Sequence, residues 1–172
     1  MLRELYTISV NEEATRYVGL TIKWDWKQQT CTLSMPGYIK AILHKFNHPT
    51  PTKPQDSPHK CVGKYGDWQK LLPNPPAEKQ ITAEQNKRLE KLLGSLLFYG
   101  MEIDCTILAA IKSIAVARKH GMKENIEAMT QLLDYVATHP NAAITYFERK
   151  IILHIHSDAS YLSETEAKIR FG

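Results

Sequence analysis

The sequence predicts an α+β chain, and three observations carry that prediction. Two short stretches near the N-terminus alternate apolar and polar residues, the period of a half-buried strand. Three later segments repeat apolar residues at three- and four-residue spacing, the period of an amphipathic helix. From residue 141 onward the alternation returns. A chain of 172 residues, 43% hydrophobic and 23% charged, has an ordinary globular composition and the length to bury a sizeable core.

Within Thr15–Trp26, Val18, Leu20, Ile22, Trp24 and Trp26 fall on one face, and Tyr17, Gly19, Thr21, Lys23 and Asp25 on the other. After the polar residues Lys27–Gln29, the run Cys31, Leu33, Met35 alternates again. The two runs predict an antiparallel hairpin with one buried face. Gly19, placed in mid-strand by this reading, marks either a bulge or a close approach of another backbone or a ligand. Pro36-Gly37 then leads into Tyr38, Ile39, Ile42, Leu43 and Phe46 at helical spacing. Lys40, His44 and Lys45 lie off that stripe, facing either solvent or phosphate groups.

Residues 47–80 hold seven of the nine prolines and no sustained period. Connections are usually about 4–6 residues, so this stretch is a proline-rich linker or an extended arm. Its His48, His59 and Cys61 match no zinc-ligand spacing. Thr82-Ala-Glu-Gln85 has the form of a capping box and opens the first of three helices, whose stripe is Leu89, Leu92, Leu93, Leu96 and Leu97, ending near Gly100. Asp104 caps the second, with Ile107, Leu108, Ile111, Ile114 and Ala115, ended by Gly121. The third carries Ile126, Met129, Leu132, Leu133 and Val136 and stops at His139-Pro140. None of these helices buries its stripe alone, so a three-helix bundle is expected. Around the second turn, Lys112, Arg118, Lys119, His120 and Lys123 form a basic cluster, either a solvated helix end or a contact with a duplex backbone.

Two strands, Ala143–Phe147 and Lys150–His156, follow with a turn at Glu148-Arg149. In Ile151–Leu162, Leu153 and Ile155 share one face while His154, His156 and Asp158 share the other. This is either a solvent face or a rigidly held carboxylate of the kind that serves as a metal ligand. The chain thus divides into 1–46 (hairpin and helix), 47–80 (linker), 81–140 (helical bundle) and 141–172 (C-terminal strands).

A net charge of +4 and a pI near 8.9 permit nucleic-acid contact without demanding it. No run of about 18 apolar residues predicts a transmembrane helix, and Met1-Leu-Arg-Glu-Leu-Tyr6 lacks the apolar core of a signal peptide. Cys31, Cys61 and Cys105 are widely spaced and odd in number, which fits neither a disulfide framework nor a zinc pair. An intracellular setting, cytoplasm or nucleus, is expected.

Three separated motifs resemble one family in its own order. His154-Ile-His-Ser-Asp-Ala-Ser-Tyr-Leu-Ser-Glu164 with Ala167-Lys-Ile-Arg-Phe-Gly172 is similar to the first hairpin of the RNase H domain in LTR-retrotransposon polyproteins of the copia/gypsy type. Arg16-Tyr-Val-Gly-Leu-Thr-Ile-Lys-Trp-Asp25, followed by Leu33-Ser-Met-Pro-Gly-Tyr-Ile-Lys-Ala-Ile-Leu-His-Lys-Phe46, resembles the primer grip and the start of the thumb of their reverse transcriptase. Leu93-Gly-Ser-Leu-Leu-Phe-Tyr99 and Leu132-Leu-Asp-Tyr-Val-Ala-Thr-His-Pro140 resemble the connection between polymerase and RNase H.

The resemblance implies RNA-directed DNA polymerisation and RNA–DNA hybrid hydrolysis for the parental polyprotein, with Mg²⁺ as its cofactor. Asp158 matches the first RNase H carboxylate and would be its metal ligand; Tyr17, Val18 and Gly19 match the primer grip. Lys40, Lys112, Arg118 and Lys119 are the expected backbone contacts, and the implied partner is an RNA–DNA hybrid or template–primer duplex. No paired aspartates in a strand-turn-strand setting and no further RNase H acids occur here. Metal-dependent nucleotidyl transfer needs several carboxylates, so this chain alone is expected to be catalytically silent, to bind no Mg²⁺ and only to touch nucleic-acid backbone. The alternatives are an interaction module that self-associates through sheet edges around Leu153 and Ile169, or a remnant without function.

Overall fold

The computed structural model describes residues 11–59, 81–118 and 123–149, together with the backbone of 159–160 and 170–171. Strands β1 (Arg16–Tyr17), β2 (Leu20–Asp25) and β3 (Thr30–Ser34) are followed by helix α1 (Tyr38–Lys45). Helix α2 (Ala83–Glu102), a 3₁₀ turn (Cys105–Ile107) continuing into α3 (Leu108–Ala117), and α4 (Glu124–Thr138) come next. Strand β4 (Ala143–Phe147) and the short pair β5 (Ala159–Ser160) and β6 (Arg170–Phe171) close the order. The architecture is α+β, with β1-β2-β3-β4 forming a four-stranded antiparallel sheet.

The hairpin differs from the sequence reading at its start. Tyr17 pairs with Leu20, so Val18 and Gly19 are a two-residue turn between β1 and β2 instead of the middle of one strand. Both have positive φ, 46° and 85°, as a type I′ turn requires. Gly19 therefore serves backbone conformation; a Cβ there would meet nothing within 4 Å. At the other end, the Asp25 carboxylate accepts from the Lys27 and Gln28 amides at 3.0 and 2.9 Å, fixing the β2–β3 turn.

Strand β4 also lies differently. Its alternation groups it with the C-terminal strands, yet it pairs along its length with β3, from Thr30 opposite Phe147 to Ser34 opposite Ala143. Cross-strand partners Thr32 and Thr145 share a hydrogen bond at 3.0 Å. Hairpin strand and C-terminal strand thus belong to one sheet. The β5–β6 pair is antiparallel, Ala159 opposite Phe171 and Ser160 opposite Arg170. Leu153, Ile169, Gly121 and the strand expected over Lys150–His156 lie outside the described residues.

The helices form for the reasons their sequences give. Thr82 accepts from the Gln85 amide at 3.2 Å while the Gln85 side chain accepts from the Thr82 amide at 2.9 Å, the reciprocal capping box. Asp104, itself buried, accepts from the Thr106 amide and caps the 3₁₀ lead-in to α3. Helix α4 ends at Thr138 with His139 as its cap. Leu20, Met35, Ile39, Ile42 and Phe46 are buried in one core with Leu89, Leu92, Leu93, Leu96, Tyr99, Ile111, Ile114, Met129, Leu132, Leu133 and Val136. Tyr38 of α1 stacks on Tyr99 of α2 at 5.8 Å and donates to the Ser95 carbonyl at 3.0 Å. Leu97 and Ala115, expected in the stripes, are exposed. Each sits at the edge of its helix's apolar arc, where the neighbouring element does not reach.

The first part of the proline-rich stretch, residues 48–57, is an arm laid along α4. The His48 imidazole donates to the Asp134 carboxylate at 2.7 Å, the Gln55 amide donates to Thr138, and the Gln131 side chain donates to the Ser57 carbonyl. Proline removes backbone donors, and side chains of α4 supply the partners a helix or ladder would otherwise provide.

Candidate functional site

The residues expected to touch nucleic acid sit on separate elements. Tyr17 and Val18, 68% and 66% exposed, stand at the tip of the β1–β2 turn with Gly19. Lys40 lies on the outer face of α1 and Lys112 on that of α3, both exposed. Arg118, following α3, pairs with Glu90 of α2 at 3.1 Å, so part of its charge is already answered within the chain. Lys119 and Asp158 lie outside the described residues. Among the described residues no group of three or more His, Cys, Asp or Glu side chains is placed to hold a metal ion.

A different set of cations does converge. Lys45, at the end of α1, and Lys87, Arg88 and Lys91 of α2 line one cleft with Phe46, Asn47 and Glu84. Four cations face one carboxylate across about 490 Å³. The helical period groups Lys87, Arg88 and Lys91, because residues three and four apart share a face, with Arg88 at the edge of the leucine stripe. Packing α1 against this core brings in Lys45, whose ammonium lies 5.6 Å from the Phe46 ring centroid. The Arg88 guanidinium donates to the Phe46 carbonyl, tying the end of α1 to α2 and fixing the cleft's width.

The bland role of these residues is partly visible. Lys45 lies in the last turn of α1 and Glu84 in the first turn of α2, where each complements the helix dipole. Dipole complementarity does not account for Lys87, Arg88 and Lys91 together, since neighbouring like charges on a helix repel by a few tenths of a kcal/mol. The cleft can hold anionic oxygens by point-charge contacts from Lys45, Lys87 and Lys91, while Arg88 is held on the Phe46 carbonyl.

The sequence offered a weak signal for this site. Lys87, Arg88 and Lys91 are visible as a basic edge beside the leucines, but their partner Lys45 is 42 residues before Lys87, a separation only the fold closes. Beyond this geometry, the chain matches no family model, no curated protein and no solved structure.

Proposed function

We propose that this chain contacts the sugar–phosphate backbone of nucleic acid, as a piece of a retrotransposon reverse transcriptase and RNase H polyprotein. The observation that carries the binding reading is the cleft between α1 and α2, with Lys45, Lys87, Arg88 and Lys91 against Glu84 alone. Contacts of this kind position a duplex without reading its sequence. The family assignment is supported by the order of the primer-grip, connection and RNase H-like motifs along the chain. Its partner in this reading is an RNA–DNA hybrid or template–primer duplex.

The test is a gel shift with a 20-base-pair RNA–DNA hybrid at 25 mM KCl. A shift that fades steeply by 200 mM is expected. No shift at the lowest salt, with the chain folded, overturns the reading.

A further inference from the structure

A second cleft, chemically opposite to the first, lies at the end of the sheet where Trp24 and Tyr146 are exposed. The register sets Trp24, Cys31 and Tyr146 side by side on β2, β3 and β4. By alternation they share the face of Leu20, Ile22, Leu33 and Ile144. That face is buried at Leu20 and packs on the core through Leu33, yet Trp24 is 40% and Tyr146 55% exposed. The helices cover only half of it. With adjacent strands about 4.8 Å apart, Trp24 and Tyr146 stand about 9.5 Å apart at their backbones, with the small Cys31 between them. A guest touching both walls at about 3.5–4.0 Å per side needs a slot of that order.

The walls are pre-organised. The Trp24 indole N–H donates to the Ala14 carbonyl at 3.2 Å, and Trp26 stacks on Trp24 with centroids 5.2 Å apart and planes 7° from parallel. Phe147 and Glu148 continue the lining, Glu148 positioned by its amide donating to the Gln29 carbonyl at 3.1 Å. Among the described residues lining this space of about 440 Å³, Glu148 and Asp25 are the charged ones; Asp25 points to the other face by alternation and its carboxylate is held by the Lys27 and Gln28 amides, and the remaining lining is aromatic or neutral. The Glu148 carboxylate repels a phosphate strand and attracts positive charge, and the ring faces are negative as well.

We infer that this cleft takes the cationic side chain, Arg or Lys, of an extended segment of a partner protein. The charged group lies against the Trp24 and Tyr146 faces, with Glu148 at the rim and Cys31 on the floor. Arg fits best, since a guanidinium stacks flat on an aromatic ring and forks to a carboxylate. This site is independent of the basic cleft and of the backbone-contact reading.

The experiment uses the full chain with Trp68→Phe, so that its tryptophan fluorescence comes from Trp24 and Trp26 alone. Hexa-arginine, hexa-glutamine and a dT oligonucleotide are titrated separately, and carbamidomethylation of Cys31 by iodoacetamide is followed by peptide mass spectrometry. Hexa-arginine is expected to change the fluorescence and slow Cys31 modification at concentrations where hexa-glutamine does neither. Tyr146→Ala and Glu148→Gln, each with unchanged melting, are expected to weaken that binding about two- to fivefold. The inference is overturned by hexa-arginine leaving both signals unchanged, or by binding that survives both substitutions combined. It is equally overturned by the dT oligonucleotide quenching more strongly than hexa-arginine, or by Tyr146→Ala abolishing self-association that occurs without any peptide.

Discussion

Replacing Val18 with Asn is expected to stabilise the chain, although it puts a polar residue where the sequence pattern asks for an apolar one. Val18 has φ 46° in a two-residue turn followed by Gly19 at φ 85°. An ordinary L-residue in this region costs about 1–2 kcal/mol, and β-branching makes Val a poor occupant. Asn-Gly is the preferred pair for such a turn. Against this gain stands the lost packing of a side chain in a residue that is 66% exposed. Fully burying a valine is worth about 1.5 kcal/mol at the lower end, so a third of that is about 0.5 kcal/mol. The net gain is about 1 kcal/mol, a rise in melting temperature of about 2–4 °C for a chain of this size.

Differential scanning calorimetry or urea titration measures this directly, with Val18→Ala as the control. Alanine keeps the penalty of an ordinary L-residue and loses the packing, so it is expected to lie near the parent and below Asn. Asn no better than Ala would refute the turn assignment and return Val18 and Gly19 to a continuous strand.

Three other perturbations test separate parts of the fold. His48→Ala removes the 2.7 Å hydrogen bond to Asp134 from a side chain only 7% exposed; a loss of about 1–3 kcal/mol in urea titration is expected, with faster proteolysis within 47–59. Thr82→Ala breaks the capping box of α2 and should cost about 1 kcal/mol, whereas Thr82→Ser should cost much less. Burial raises the ionisation of the Tyr99 hydroxyl above the usual tyrosine value of about 10, with nearby Asp104 and Tyr135 adding to the rise and the Ala142 backbone opposing it. Because the folded form holds its proton longer than the unfolded one, this contribution is fully present below pH 10 and is lost as pH rises from there through the folded value. The urea midpoint should therefore drop above pH 10, and Tyr99→Phe should flatten that drop; an equally steep drop in the variant would contradict it.

Local signals were the readable ones. The capping box at Thr82, the Asp104 cap, the stop after Thr138 and the buried stripes of α2 and α4 follow from residues within a few positions of each other. What depends on distant pairing was not readable. Alternation says that Ala143–Phe147 is a strand but carries nothing about which strand it joins, and β3 lies more than a hundred residues earlier. The Val18–Gly19 turn was hidden because β1 is only two residues long and valine is a strand residue by propensity; the pairing puts Tyr17 on the face of Leu20, where continuous alternation sets it on the other. The same limit applied to the site. Lys40 and Lys112 stand out in sequence, while the cleft of Lys45, Lys87, Arg88 and Lys91 exists only once α1 packs beside α2.

The salt dependence of hybrid binding tests the central claim most directly. Arg88 is held on the Phe46 carbonyl, leaving Lys45, Lys87 and Lys91 for phosphate contacts. Three contacts give a slope of log K against log salt of about −2.7, roughly a fortyfold loss between 50 and 200 mM KCl. Fluorescence anisotropy with a labelled RNA–DNA hybrid should show that slope in the parent and about −0.9 in Lys87→Glu with Lys91→Glu. Lys40→Glu with Lys112→Glu should leave it near −2.7. An unchanged slope in the first variant and a reduced one in the second would contradict the account and move the contact surface to the outer faces of α1 and α3.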